Sequence, residues 1–230
     1  NHLMSRREAL IMCSCNIPNC TRCQETKEFD TAVRLFPTNE RVDNENDIFL
    51  KRTGHPVARI ESENSPPVGF TKNCRTLKRI LHLSIGCRVM LRRNISVRCG
   101  LVNGSMGTVK ALVYAEGRVP PALPLYVLVK FDHFRGVGLP DFPDLFPIVP
   151  ESDYWKENGE NFKRTQLPIF VAHAMTIHKS QGLTLPKAVV ELGAKETEIG
   201  LTYVQLSRVS KLTDMLILGY FPKSRIDAIS

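Results

Sequence analysis

No stretch of this 230-residue chain approaches the roughly 20 consecutive apolar residues that a membrane-spanning helix requires. Asn1 to Arg7 lacks the apolar core of a secretory signal, so an intracellular compartment and no membrane partner are expected. Regular cysteine spacing is absent too. The seven cysteines are an odd number without a repeating interval, which argues against a disulfide framework and agrees with a reducing compartment. Nor does the chain contain Gly-x-x-x-x-Gly-Lys-Ser/Thr, a Gly-Lys pair or an Asp-Glu pair, so these residues alone cannot build a phosphate-cradling loop with its metal-holding partner.

What is present begins with charge. The 31 Lys and Arg against 23 Asp and Glu leave +8, a balance that favours polyanionic partners but fits a basic, solvated surface equally well. Four cysteines, Cys13, Cys15, Cys20 and Cys23, are bunched near the start. Cys20 and Cys23 have the C-x-x-C spacing that zinc uses, but C-x-C followed by C-x4-C is not a common structural-zinc pattern and no His lies between. Zinc and a set of reduced thiols both stay open.

Hydrophobic periodicity divides the rest. Residues 1–30 read as a Cys-rich connector, with a helical stretch from Met4 to Met12 broken at Ile17-Pro18-Asn19. Ala32 to Phe36 reads as a buried strand stopped by Pro37, and Thr38 is a suitable N-cap for a helix from Asn39 to about Arg52 that ends at Gly54. Val42, Ile48 and Phe49 form its apolar side. Leu81 to Leu91 reads as one strand, and two strands flank Asn103-Gly104. Residues 110–165, with Pro120-Pro121, a strand from Tyr126 to Phe131 and a Pro/Gly/Asp-rich tract, read as a small β-rich insertion. Beyond it, Leu167 to Ala174, Ala188 to Leu192 and Met215 to Tyr220 are strand candidates. Glu198 to Val209 carries Ile199, Tyr203 and Leu206 at helical spacing. Strands and helices alternating on both sides of a β module predict an α/β domain interrupted by it.

Two stretches carry chemistry. Ala174-Met175-Thr176-Ile177-His178-Lys179-Ser180-Gln181-Gly182-Leu183-Thr184-Leu185 crowds hydroxyl, imidazole, ammonium and amide donors where a strand ends, a set suited to phosphate oxygens. Gly182 allows close backbone approach. A capped short helix with exposed His178 and Lys179 accounts for the same residues without a ligand. In Tyr203-Val204-Gln205-Leu206-Ser207-Arg208-Val209, Arg208 at a helix end could grip a phosphoryl group or make an ordinary surface ion pair.

Taken together these stretches resemble superfamily-one DNA helicases. Ala174 to Leu185 looks like their fifth conserved motif and Tyr203 to Val209 like their sixth. Leu35-Phe36-Pro37-Thr38-Asn39, with Val42 and Asn46, resembles the fourth in the form used by the Pif/RecD branch. Ile85 to Leu91, Gly100 to Gly104 and Gly107-Thr108-Val109 resemble that branch where its inserted β-barrel begins. Gln205 departs from the small residue often found beside the motif arginine.

The resemblance implies a discontinuous second RecA-like domain over residues 31–109 and 166–225, a parallel sheet interrupted by a barrel-like module at 110–165. It implies an arginine-finger role for Arg208 on the γ-phosphate, with Gln181 and Gly182 near the nucleotide. Thr38, Asn39, Thr176, His178, Lys179 and Ser180 would face single-stranded DNA. ATP and Mg2+ would be held mainly by an N-terminal RecA-like domain supplied upstream, and a start at Asn1 instead of Met is consistent with a truncated helicase, inactive alone. Single-stranded or forked DNA would be the partner, the nucleus or the mitochondrion the compartment, and repair, recombination or telomere upkeep the process. A catalytically dead nucleic-acid-binding or interaction module derived from such a helicase, and a zinc-bearing N-terminal segment that recruits a partner, are the competing expectations.

Overall fold

A computed structural model describes residues 27–67, 77–192, 198–218 and 222. The Met4 to Met12 helix and the cysteine cluster lie outside the described residues. The chain divides into two compact units, one formed by Asn1–Asn46 with His173–Ser230 and the other by Asp47–Ala172.

The first unit is built on a four-stranded sheet of β1 (Val33–Phe36), β12 (Ala174–Thr176), β13 (Ala188–Glu191) and β14 (Met215–Leu218), in the order β12-β1-β13-β14. Every pairing is parallel. Its strands are short, nearly continuous apolar runs, as expected where both faces of a parallel sheet are covered. Residues of the expected connector join it: Phe29 packs with Ala32 and Val189.

Helix α1 (Asn39–Arg52) follows β1, and the division between the units falls within it after Asn46. Both its ends match the sequence reading. Thr38 Oγ1 accepts from Arg41 N at 3.4 Å, and Gly54, at φ 72°, adopts the left-handed conformation suited to the chain reversal beyond the helix. Its buried stripe is Val42, Asn46 and Leu50, spaced by four, with Ile48 and Phe49 half-buried beside it.

The second unit is antiparallel. Its largest sheet has the order β11-β5-β6-β7-β8, from β11 (Ile169–Val171), β5 (Arg88–Leu91), β6 (Met106–Val113), β7 (Tyr126–Phe131) and β8 (Phe146–Ile148). A second sheet sets β10 (Glu160–Gln166) between β3 (Glu63–Ser65) and β9 (Glu151–Glu157), and β2 (Ala58–Glu61) pairs with β4 (Ile80–Leu83). One core of buried aliphatic residues, including Leu50, Ile60, Leu83, Leu91, Val109, Val129 and Ile148, serves the unit. Gly107 permits the tight β6–β7 approach: a Cβ there would lie 2.6 Å from Val129 Cγ1 and 2.8 Å from the Lys130 carbonyl.

Four features differ from the sequence reading. The stretch from Leu81 to Leu91 is two strands, because the chain turns between Ser84 and Cys87, with Gly86 at φ 85°. Leu167 to Ala174 is likewise divided, β11 joining the antiparallel sheet and β12 beginning in the parallel one. The β-rich unit extends to 47–172 instead of 110–165, since β5 and β11 pair within its sheet. Helix α3 covers only Leu201–Leu206, and of the expected apolar side Ile199 and Tyr203 are exposed and Leu206 half-buried, while Leu201, Thr202 and Gln205 are buried. Gly200, at φ 85°, starts the helix after Ile199 and so removes that residue from its face.

Candidate nucleic-acid and nucleotide site

Two motif stretches leave the carboxyl ends of neighbouring strands. Phe36 and Thr176 are register partners on β1 and β12, so Thr38 and Asn39 emerge beside the short helix α2 (Ile177–Ser180). The carboxyl edge of an open parallel sheet is where such folds bind ligands. The edge is braced from α1: Asn46 donates through Nδ2 to the Ala174 carbonyl at 3.1 Å and accepts from Ala174 N at 2.8 Å. Behind it, Arg34 Nε donates to Nε2 of buried His173 at 3.2 Å and lies 3.2 Å from Glu45 Oε1.

The six expected DNA-facing residues separate into two kinds. Thr38 caps α1, buried Thr176 caps α2 by accepting from Lys179 N at 3.4 Å, and buried Ser180 donates to the Ile177 carbonyl at 2.7 Å. Their hydroxyls hold the turns. Asn39, His178 and Lys179 are exposed, with Lys179 Nζ 3.4 Å from Asn39 Oδ1 and His178 Nε2 3.5 Å from Glu198 Oε2. The structure thus brings Asn39 and Lys179 together from stretches 140 residues apart.

Arg208 does not project outward. Its Nε donates to the Val204 carbonyl at 2.7 Å, Nη1 to the carbonyls of Ser180 and Leu183 at 3.0 and 3.1 Å, and Nη2 to Ser207 Oγ at 2.7 Å. These bonds use four of the five N–H groups of a guanidinium. In return the Arg208 carbonyl accepts from Leu185 N at 2.7 Å. The arginine therefore ties the end of α3 to the turn after α2, where exposed Gln181 and Gly182 lie, Gly182 at φ 80°. Gln205, the departure in this motif, is accommodated within the fold at 3% exposure.

Among the described residues, no three His, Cys, Asp or Glu side chains converge as a metal site. For a nucleotide the fitting features are the Arg208 guanidinium, whose partners are all neutral oxygens, and the open space around Gly182, where a Cβ would meet nothing within 4 Å.

The parallel sheet carries the ordered stretches that resemble superfamily-one helicase motifs at its carboxyl edge, and the comparisons with known proteins agree with that class. The description "DNA helicase Pif1, 2B domain" matches residues 73–112. The human ATP-dependent DNA helicase PIF1 is 33% identical over 198 residues, 83% of this chain and 28% of that protein. ATP-dependent DNA helicase Pif1 of Bdellovibrio bacteriovorus is 30% identical over 212 residues, 88% of this chain and 43% of that protein. Among solved structures, Pif1 helicase from Candida albicans shares the fold with a TM-score of 0.60 and 24% identity, covering 93% of this chain and 54% of that one. Pif1 from a Bacteroides species in complex with ADP-AlF4 does so with a TM-score of 0.62 and 21% identity, covering 91% of this chain and 47% of that one. The chain belongs to the Pif family of superfamily-one helicases, and it spans less than half the length of the curated relatives named above.

Proposed function

We propose that the chain is the C-terminal motor region of an ATP-dependent DNA helicase, the part that senses nucleotide and holds single-stranded or forked DNA during translocation. The parallel sheet would be the second RecA-like domain and the antiparallel unit its inserted, barrel-like module. The observation that carries this reading is the Arg208 connection: one guanidinium joins the sixth-motif helix to the Ser180 and Leu183 carbonyls, immediately beyond His178 and Lys179. A group that changes partner at a phosphate would thereby pull on the turn bearing the DNA-facing side chains. Supporting it, Pif1 of a Bacteroides species has been solved bound to single-stranded DNA and in complex with ADP-AlF4.

In this role Asn39, His178 and Lys179 contact the strand, while Thr38, Thr176 and Ser180 hold their turns. Arg208 faces the γ-phosphate, with Gln181 and Gly182 beside the nucleotide. A bound nucleotide supplies the closing force between RecA-like domains, and an N-terminal RecA-like domain holds ATP and Mg2+. Because the 230 residues contain no phosphate loop, they are inactive as an ATPase alone. The setting is intracellular, in the nucleus or mitochondrion, and the process repair, recombination or telomere maintenance.

Joining the chain to a partner that supplies the phosphate loop tests this. ATP hydrolysis should appear, and Arg208→Ala should abolish it. Hydrolysis indifferent to that change would refute the role of Arg208, and no hydrolysis at all would favour a binding module that has lost catalysis.

A further inference from the structure

The β9–β10 hairpin sorts its charges by face. Directly paired residues share a face, so Tyr154 with Lys163, Lys156 with Asn161 and Ser152 with Thr165 lie together. The opposite face carries all four acids of the two strands, Glu151, Asp153, Glu157 and Glu160, together with Trp155, Phe162, Arg164 and Gln166. Toward Gln166 that face is turned inward and its acids are paired: Arg164 and Gln166 are buried, Arg93 pairs with both Glu151 and Asp153, and Trp155 stacks on Phe162, while Glu157 is half-buried and Glu160 exposed near the turn. The outward face has two lysines, two hydroxyls, one amide and a tyrosine that is 73% exposed, with Lys163 Nζ 5.8 Å from the ring centroid. Glu63, paired with Thr165, enters only at its far corner through β3.

We infer that this outward face is a second nucleic-acid contact, a sequence-independent platform on which a base of a single strand stacks on Tyr154 while Lys156 and Lys163 meet the flanking phosphates. An aromatic ring provides a π-face that every base can use, and adjacent cations supply the backbone term. The occupant is a polyanion because the pleat has placed both lysines on one face of the hairpin and all four of its acids on the other. The platform lies in a different unit from α2 and Arg208, and it does not depend on the roles assigned to them.

The test is fluorescence anisotropy of labelled oligothymidylate and oligouridylate with the 230-residue chain, across a salt series. Tyr154→Ala should weaken binding of both oligomers about fivefold to a hundredfold. Lys156→Gln with Lys163→Gln should flatten the salt slope by about 0.7 for each lysine, while Lys110→Gln leaves affinity within twofold. Trp155 is the only tryptophan and lies on the covered face of the same hairpin, so unchanged emission certifies that each variant retains its fold. Hairpin variants that bind like the unaltered chain overturn the proposal, as does displacement of the oligomer by polyglutamate at equal charge or failure of the unaltered chain to bind. Weakening confined to Lys179→Gln would overturn the platform and leave the motif reading standing; weakening confined to the hairpin variants would do the reverse.

Discussion

In the second unit, arginines and a lysine meet carboxylates. Arg88 grips Asp132 through two bonds of 2.8 and 2.5 Å, Arg93 spans Glu151 and Asp153, and Lys130 lies 2.7 Å from Asp144. In the first unit Arg34 and Arg41 likewise meet Glu45 and Glu191, but Arg208 meets only carbonyl and hydroxyl oxygens. A cation paired with a carboxylate has its field cancelled locally, whereas one held by neutral dipoles keeps its full charge for an arriving anion. Buried Arg164 of the second unit is also held by neutral oxygens, Asn64 Oδ1 and the Leu77 carbonyl, so what marks Arg208 is neutral partners combined with its place at the turn after α2.

The comparison breaks most visibly at Arg208. In a protein with the phosphate loop supplied, Arg208→Ala should lower the ATP hydrolysis rate by about a thousandfold to a hundred-thousandfold, measured at saturating nucleotide. It should also lower stability by about 1–3 kcal/mol in urea, since three carbonyl contacts disappear. A stability loss with unaltered hydrolysis would place Arg208 with the structural arginines of the second unit. Next, Leu91→Ala, in the antiparallel core, should cost about 2–5 kcal/mol, followed by the emission of Trp155. If the units unfold separately, that transition will move while far-UV ellipticity retains a second one.

Asn46→Ala tests the brace of the parallel sheet. It strips two hydrogen bonds from the Ala174 backbone and should cost about 2–3 kcal/mol in a urea titration. Smallest is a pH effect in the second unit, where burial pushes the Cys87 thiol from 9.0 up to about 11. The folded chain keeps this proton where the unfolded chain has lost it. The stability contribution is therefore intact below about pH 9 and is lost as pH rises toward 11, by roughly 2 kcal/mol relative to Cys87→Ala.

Legibility followed the range of the interactions. Helix α1 and strand β7 were readable because Pro37, Thr38 and Gly54 punctuate one and β-branched residues mark the other. The two motif stretches were readable because their donors are contiguous. Unread was the inward turn of Arg208, since two of its three carbonyl partners lie 25 and 28 residues away. The β9–β10 hairpin left a signal that could have revealed it. Asn158-Gly159, with φ 51° and 86°, is the dipeptide that tight hairpins favour. The bracing role of Asn46 had no local sign, as an Asn at that helix position reads as a polar outer residue until β12 is beside it.

That asparagine has a consequence beyond stability. β12 is the outer strand of the described parallel sheet, and such a margin invites another chain to add itself. By offering an amide to both backbone groups of Ala174, Asn46 imitates the missing neighbour and closes the margin at that residue. Loss of that one side chain would turn a guarded border into an adhesive one, so the first symptom of Asn46→Ala at high concentration should be self-association that precedes unfolding.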